Sequence, residues 1–294
     1  MIRTFLLSLL RGVGQLAFVD SARGGGLVLA GMALISPEAA VGAVVAAALA
    51  TLFHRFAGIY PAEEWRLGLG GYNSAVIGIL WSGAMSGTSA TLLGYFPLAL
   101  ATCWLFEASF KKLSYKVFLP LLTAPAVVTA WLTAWALGHL GVNFWWVGAP
   151  AMNDVPEIVL GVLCIVAAMS LVDVAATVQA LILAVLAAWW GHWYYGLDFV
   201  ALGPLWGFAV ASASFGVQAV FFRGATSALA GGLTAAILAA ALWGLWMAVP
   251  FGRGLPPLLM PFVIAVWAVL LLARRMELSR LLLPLQGMGR RSGI

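Results

Sequence analysis

The chain is 294 residues long, 64% hydrophobic and only 9% charged. Soluble domains carry about 25% charged residues, so this chain could not clothe a water-facing surface, and a soluble enzyme is excluded. Its net charge is +5, but the basic residues flank apolar runs, which points to orientation in a bilayer rather than to nucleic acid. At roughly 20 residues per crossing plus short loops, the length allows about ten helical spans.

Met1 to Gln15 has a basic start and an apolar run, with no small-residue cleavage site before Asp20. It reads as the start of a retained first span rather than a signal peptide. In the first half, spans are expected near 4–19, 25–36, 38–53, 88–106 and 117–136. In the second they are expected near 140–153, 158–171, 174–188, 225–247 and 258–272. Two further helices, near 71–83 and 207–219, are Gly- and Ser-rich and too short to cross. They suit re-entrant segments lining a water-filled path. Asp20 and Asp173 fall at turns, and Glu63, Glu64 and Asp198 in polar loops. Glu107, close to Lys111 and Lys112, reads as part of an interfacial charge cluster. Cys103 and Cys164 lie in apolar stretches and suit packing, not a disulfide or zinc. His54, His139 and His192 sit at span edges without metal-ligand spacing. No nucleophile–base pair is legible around Ser82 or Ser86. The chain therefore reads as neither an enzyme nor a cofactor protein.

A repeat is visible at a fixed offset of 136 residues. Gly71-Tyr72-Asn73 falls on Gly207-Phe208-Ala209, the proline-flanked run 119–125 on 255–261, and Trp131 on Trp267. The expected organisation is a first repeat at 1–136, a second at 137–272 and a basic tail at 273–294. Five spans per half is odd, so the second half enters from the opposite face, making an inverted repeat. Arg3 and Arg11, then Lys111, Lys112 and Lys116, then Arg274, Arg275, Arg280, Arg290 and Arg291 are expected on one, cytoplasmic side. Both termini are then cytoplasmic and the chain is multi-pass in the inner membrane. Arg55, Arg66 and Arg253 are expected opposite.

The chain resembles the urea transporter family of bacteria and animals. Gly12, Gln15 and Phe18 match its Gly-x-x-Gln-x-x-Phe, and Gly71, Tyr72, Asn73 and Ser74 match its re-entrant Gly-[Phe/Tyr]-Asn-[Gly/Ser]. Leu119, Pro120, Thr123 and Pro125 match its Leu-Pro-x-x-Thr-x-Pro. The resemblance implies a channel-type facilitator, homotrimeric, with one pore per protomer between the repeats. A slot lined by aromatic side chains admits a flat neutral solute, and oxygen acceptors take its amide hydrogens. The path residues expected on that basis are Gln15, Phe18, Tyr72, Asn73, Thr123, Phe208 and Leu259. Urea stripped of water loses several kcal/mol per polar group unless a wall replaces its hydrogen bonds.

The second half departs from the family pattern. Gln15 falls on Ala151, Phe18 on Asp154, Asn73 on Ala209 and Thr123 on Leu259. That admits a different small amide, amine or ammonia-like solute, or an asymmetric pore; Asn153, Asp154 and Glu157 could supply polarity at one mouth. An ion-coupled transporter is disfavoured because no carboxylate run stands out mid-span. Each path residue also has a plainer role. Thr123 could bond its own helix's carbonyl, Asn73 could brace the helix end, Gln15 could link two helices, and Phe18 and Tyr72 could simply pack.

Overall fold

The computed structural model describes residues 2–87, 90–117, 119–139, 152–195, 203–222, 224–248 and 257–276. Most of the span expected at 140–153, together with Asp198, Arg253 and the tail beyond 276, lies outside these residues. The helices are α1 (Ile2–Gly14), α2 (Ala22–Ile35), α3 (Pro37–Ala57), α4 (Ala62–Arg66), α5 (Tyr72–Gly87) and α6 (Ala90–Val117). After them come α7 (Ala124–His139), α8 (Val155–Ser170), α9 (Val174–Tyr195), α10 (Gly203–Phe215), α11 (Ala225–Ala248) and α12 (Met260–Arg275). Among the described residues the regular structure is all helical.

Local chemistry sets many of the ends. Ser21 and Ser36 accept from the Gly24 and Ala39 amides at 3.0 and 3.2 Å, capping α2 and α3. Pro37 follows Ser36 with its missing N–H at a position that has no helical acceptor. Gly58, at φ 65°, closes α3. Asp173 caps α9 through the Ala176 amide at 2.9 Å. Leu122 and Leu258, 136 residues apart, each take φ 48° just before α7 and α12, and those two helices are themselves offset by 136.

Among the described residues, three helices are long and apolar enough to cross a membrane: 37–57, 174–194 and 225–248. The stretches expected as separate spans at 4–19 and 25–36 form a pair bent by 65° at residues 18–21, which meets that standard only jointly. The break has a local cause. A short 3-10 turn, Gln15–Ala17, ends on Phe18 in the left-handed region at φ 58°, and the Val19 amide donates back to the Gly14 carbonyl at 3.0 Å.

The chain divides into two compact units, 1–116 with 121–171, and 117–120 with 172–294. In the first, backbones meet at glycine pairs. A Cβ on Gly78 of α5 would stand 2.0 Å from the Gly42 carbonyl oxygen of α3. One on Gly161 of α8 would stand 2.5 Å from the Gly31 carbonyl oxygen of α2. Of the three glycines 24–26, Gly24 and Gly25 are pressed on Val19 and Leu10, whereas Gly26 faces open space. Asn153 ties α8 to α2, its backbone amide and Nδ2 donating to the Ile35 and Leu34 carbonyls at 2.9 and 3.0 Å. Asn153 thus caps α2, while Asp154 and Glu157 are exposed. In the second unit α9 packs on α10, α10 on α11, and α11 on α12. Trp267 donates to the Pro120 carbonyl at 2.8 Å.

One charge expectation is corrected. Arg11 donates to the Arg66 carbonyl at 2.9 Å, and Lys111 reaches the Ile59 carbonyl at 3.1 Å and Glu64 at 2.6 Å. Arg11, Arg66 and Lys111 therefore share one end of the first unit and are not on opposite faces. Counting spans from sequence missed this because α5 and α6 form a hairpin that returns to the end where α3 stops.

The Gly42–Gly78 crossing generates a stability prediction. Gly78→Ala should cost about 1–3 kcal/mol, the usual penalty for overpacking, because the atom it meets is backbone. Gly26→Ala should be neutral or stabilising by ~1 kcal/mol through helix propensity. Thermal unfolding in detergent compares the two.

Candidate functional site

The sequence around the start of α5 is glycine-rich for a steric reason. Gly68 takes φ 81° and a Cβ there would lie 2.2 Å from the Gly12 amide of α1. Cβ atoms on Gly70 and Gly71 would meet His54 Nδ1 at 2.6 Å and Thr51 Oγ1 at 3.1 Å on α3. With no side chains there, the end of α5 seats deep between α1 and α3, and Tyr72, Asn73 and Ser74 are all buried.

Tyr72 donates its hydroxyl hydrogen to the carbonyl of Leu122. Leu122 is the left-handed residue preceding Thr123, so this bond fixes the α5 end to the turn that opens α7. The Thr123 carbonyl accepts from the Val127 amide at 3.0 Å, but its hydroxyl, on a residue 8% exposed, has no hydrogen-bond partner. The plainer role weighed for Thr123, a bond to its own helix, is instead filled by Thr129, whose hydroxyl donates to the Pro125 carbonyl at 2.8 Å. Thr123 precedes the first turn and has no helical carbonyl four residues back. A buried hydroxyl in that condition costs free energy unless something else supplies the bond.

Asn73 donates Nδ2 to Glu107 Oε1 at 3.1 Å, and its own Oδ1 is buried without a partner. Glu107 is fully buried, which corrects its reading as an interfacial charge. Its Oε1 also accepts from the Tyr60 hydroxyl at 3.2 Å, and Oε2 lies 3.3 Å from His54 Nε2. Burial first, and the adjacent Glu107 second, push the Tyr60 hydroxyl well above its usual range, so it stays a donor. Ser74 accepts from Trp104 Nε1 at 2.9 Å, and Trp104 stacks on Phe53. Lys111 sits 3.7 Å from the centre of the Tyr60 ring while paired with Glu64.

Gln15 and Phe18 are half-buried in the 3-10 turn that packs against α5. Five of the seven expected path residues thus gather around α5: Gln15, Phe18, Tyr72, Asn73 and Thr123. The other two belong to the second unit. Phe208 on α10 is 43% exposed, and half-buried Leu259 caps the start of α12 with its carbonyl accepting from the Val263 amide at 3.1 Å. His54, Tyr60 and Glu107 were not among the expected residues. The signal that could have found them is a carboxylate inside the apolar run 98–110, which is costly without partners. Among the described residues no cluster of His, Cys, Asp and Glu could hold a metal.

Tyr72→Phe should cost about 1–3 kcal/mol, the penalty for leaving the buried Leu122 carbonyl unsatisfied. Thermal unfolding of the variant in detergent reads it.

In comparison with known proteins, the urea transporter family model matches residues 6–145. The matched stretch holds Gln15, Phe18, Tyr72, Asn73 and Thr123 as well as the Glu107 cluster, and it stops short of the second unit's Phe208 and Leu259. No curated protein matches the chain.

Proposed function

We propose that this chain, which carries a urea transporter family domain over residues 6–145, passes urea or a similar small planar neutral solute down its gradient. The family is a transport family, and the apolar helices are those of a multi-pass membrane protein. The observation that carries the finer reading is the buried, unpartnered hydroxyl of Thr123, held at the mouth of α7 by the Tyr72–Leu122 bond. An acceptor of that kind replaces a water that a solute N–H gives up on entering a narrow path. The proposed path residues are Gln15, Phe18, Tyr72, Asn73 and Thr123, with Phe208 and Leu259 from the second half. A neutral solute needs no coupled ion, so facilitated diffusion is sufficient.

The proposal extends to two inverted repeats, 1–136 and 137–272, with about ten crossings and α5 and α10 as re-entrant helices. Its support is the shared offset of α7 and α12 and of the left-handed Leu122 and Leu258. It further takes the chain as a homotrimer in the inner membrane with both termini cytoplasmic. The basic stretch from Arg274 to Arg291 supports that orientation; the first-half charges do not, since they share one end with Arg66.

A second reading has a specific observation behind it. Glu107 beside His54 is a buried acid–imidazole pair, the kind of group proton-coupled transporters use. Under that reading the solute accumulates against its gradient when a proton gradient is imposed.

Stopped-flow light scattering on proteoliposomes tests both. Wild-type vesicles should take up urea faster than empty ones, with no accumulation beyond equilibrium under an imposed pH gradient. Thr123→Val should slow urea entry by about fivefold, the value of one ordinary hydrogen bond of ~1 kcal/mol, while Thr123→Ser retains it. Urea entry equal to empty vesicles would remove urea as the solute, and formamide, acetamide, methylamine and ammonia would follow in the same assay. Accumulation that collapses with the proton gradient would favour the coupled reading.

A further inference from the structure

Glu107 has a counterpart position in the second half, and what stands there is informative. At the 136-residue offset Glu107 becomes Trp243, Asn73 becomes Ala209, His54 becomes Trp190, Thr51 becomes Ala187 and Tyr60 becomes Gly196. Every polar member of the cluster is replaced. Yet α9 packs on α10, and α10 on α11, with Ala209 and Trp243 buried, and Trp243 is stacked on Trp206. Helices in this arrangement evidently form without a buried carboxylate. A buried ionisable group is costly, and apolar replacements of like volume are often neutral or stabilising. Folding alone does not explain why the first half keeps Glu107.

The hydrogen bonds show what it does. Glu107 Oε1 already accepts from the Tyr60 hydroxyl, so it presents only an acceptor to Asn73. The Asn73 amide can therefore face Glu107 only through Nδ2; the flipped amide would set oxygen against oxygen. This orientation leaves Oδ1, on a residue with no exposure, as a buried acceptor without a partner. We infer that Glu107 is a positioning residue that locks the Asn73 side-chain amide so that its carbonyl oxygen, and not its NH₂, is offered to the N–H groups of a passing amide solute. The inference rests on the urea-type path proposed above and adds Glu107, with Tyr60 holding it, to the determinants of selectivity. It gives Asn73 a part in recognition beyond bracing the end of α5.

The test exchanges the two side-chain types. Glu107→Gln supplies both a donor and an acceptor, so the Asn73 amide is satisfied in either orientation and the lock is lost. Asn73→Asp makes position 73 acceptor-only whichever way it turns. The double variant Glu107→Gln/Asn73→Asp keeps the same groups and the same charge but moves the carboxylate to 73, where one oxygen accepts from the new amide and the other remains an acceptor for solute. Urea permeability of proteoliposomes is measured for wild type, both single variants and the double variant. Thermal midpoints in detergent report folding.

Urea permeability is expected to fall about fivefold in Glu107→Gln, the value of one ordinary hydrogen bond. It is expected to fall also in Asn73→Asp alone, where two carboxylates face each other, and to return to within about twofold of wild type in the double variant. A merely structural role would make permeability follow the thermal midpoint across the four proteins, whereas an orienting role lowers permeability in Glu107→Gln at an unchanged midpoint. Wild-type permeability in a folded Glu107→Gln protein overturns the proposal, as does failure of the double variant to recover. If Glu107→Gln does not fold, the double variant alone decides between these outcomes. Urea entry no faster than in empty vesicles for wild type removes urea as the solute, and with it an acceptor offered to urea at Asn73. The midpoints of the four proteins then still report whether positions 73 and 107 are coupled.

Discussion

A carboxyl group with no exposure to water must find its hydrogen-bond donors inside the protein, and Glu107 finds them on separate segments. Tyr60 donates from the connection after α3 and Asn73 from the first turn of α5, while His54, in the last turn of α3, lies 3.3 Å from Oε2. Because Glu107 itself is on α6, this one side chain joins the end of α3, the start of α5 and the returning helix at a single point. The glycines at 68, 70 and 71 are the steric condition for it. A Cβ at 68 or 70 would collide with α1 or α3, and one at 71 would press on Thr51.

Two stretches 136 residues apart share backbone geometry and differ in chemistry. Leu122 and Leu258 adopt the same left-handed conformation, and α7 and α12 begin and end at the same offset. Around that common frame the first half carries a carboxylate, an imidazole, a phenol, an amide and two hydroxyls, where the second carries alanine, tryptophan, glycine and leucine. The second half has polar groups elsewhere. Gln179 donates to Ser214 at 3.1 Å, and Gln218 sits in a π-helical stretch, 216–221, that ends α10.

Unsatisfied polar atoms take on meaning against this background. In an ordinary core an orphaned hydroxyl or amide carbonyl is a defect. Thr123 Oγ1 and Asn73 Oδ1 are buried without partners, while the hydroxyl of Tyr72 is engaged by the Leu122 carbonyl.

Composition alone decided the solvent, because 9% charge cannot cover a water-facing surface. Motif order and spacing were enough to place Gln15, Phe18, Tyr72, Asn73 and Thr123 together as candidates, since glycine and proline constraints are local and survive in a one-dimensional pattern. Tertiary structure decided the rest. Whether Thr123 bonds its own helix depends on where α7 begins, which the left-handed Leu122 sets. Whether Glu107 is interfacial or buried depends on where α6 ends relative to α3, and sequence neighbours such as Lys111 point the wrong way because Lys111 turns aside to Glu64. The side on which Arg11 and Arg66 lie depends on the path of a hairpin, α5 to α6, that span counting treats as independent segments. Periodicity and punctuation are properties of neighbours in the chain. Pairing of a buried charge is a property of neighbours in space, and only the folded chain brings His54, Tyr60 and Asn73 to Glu107.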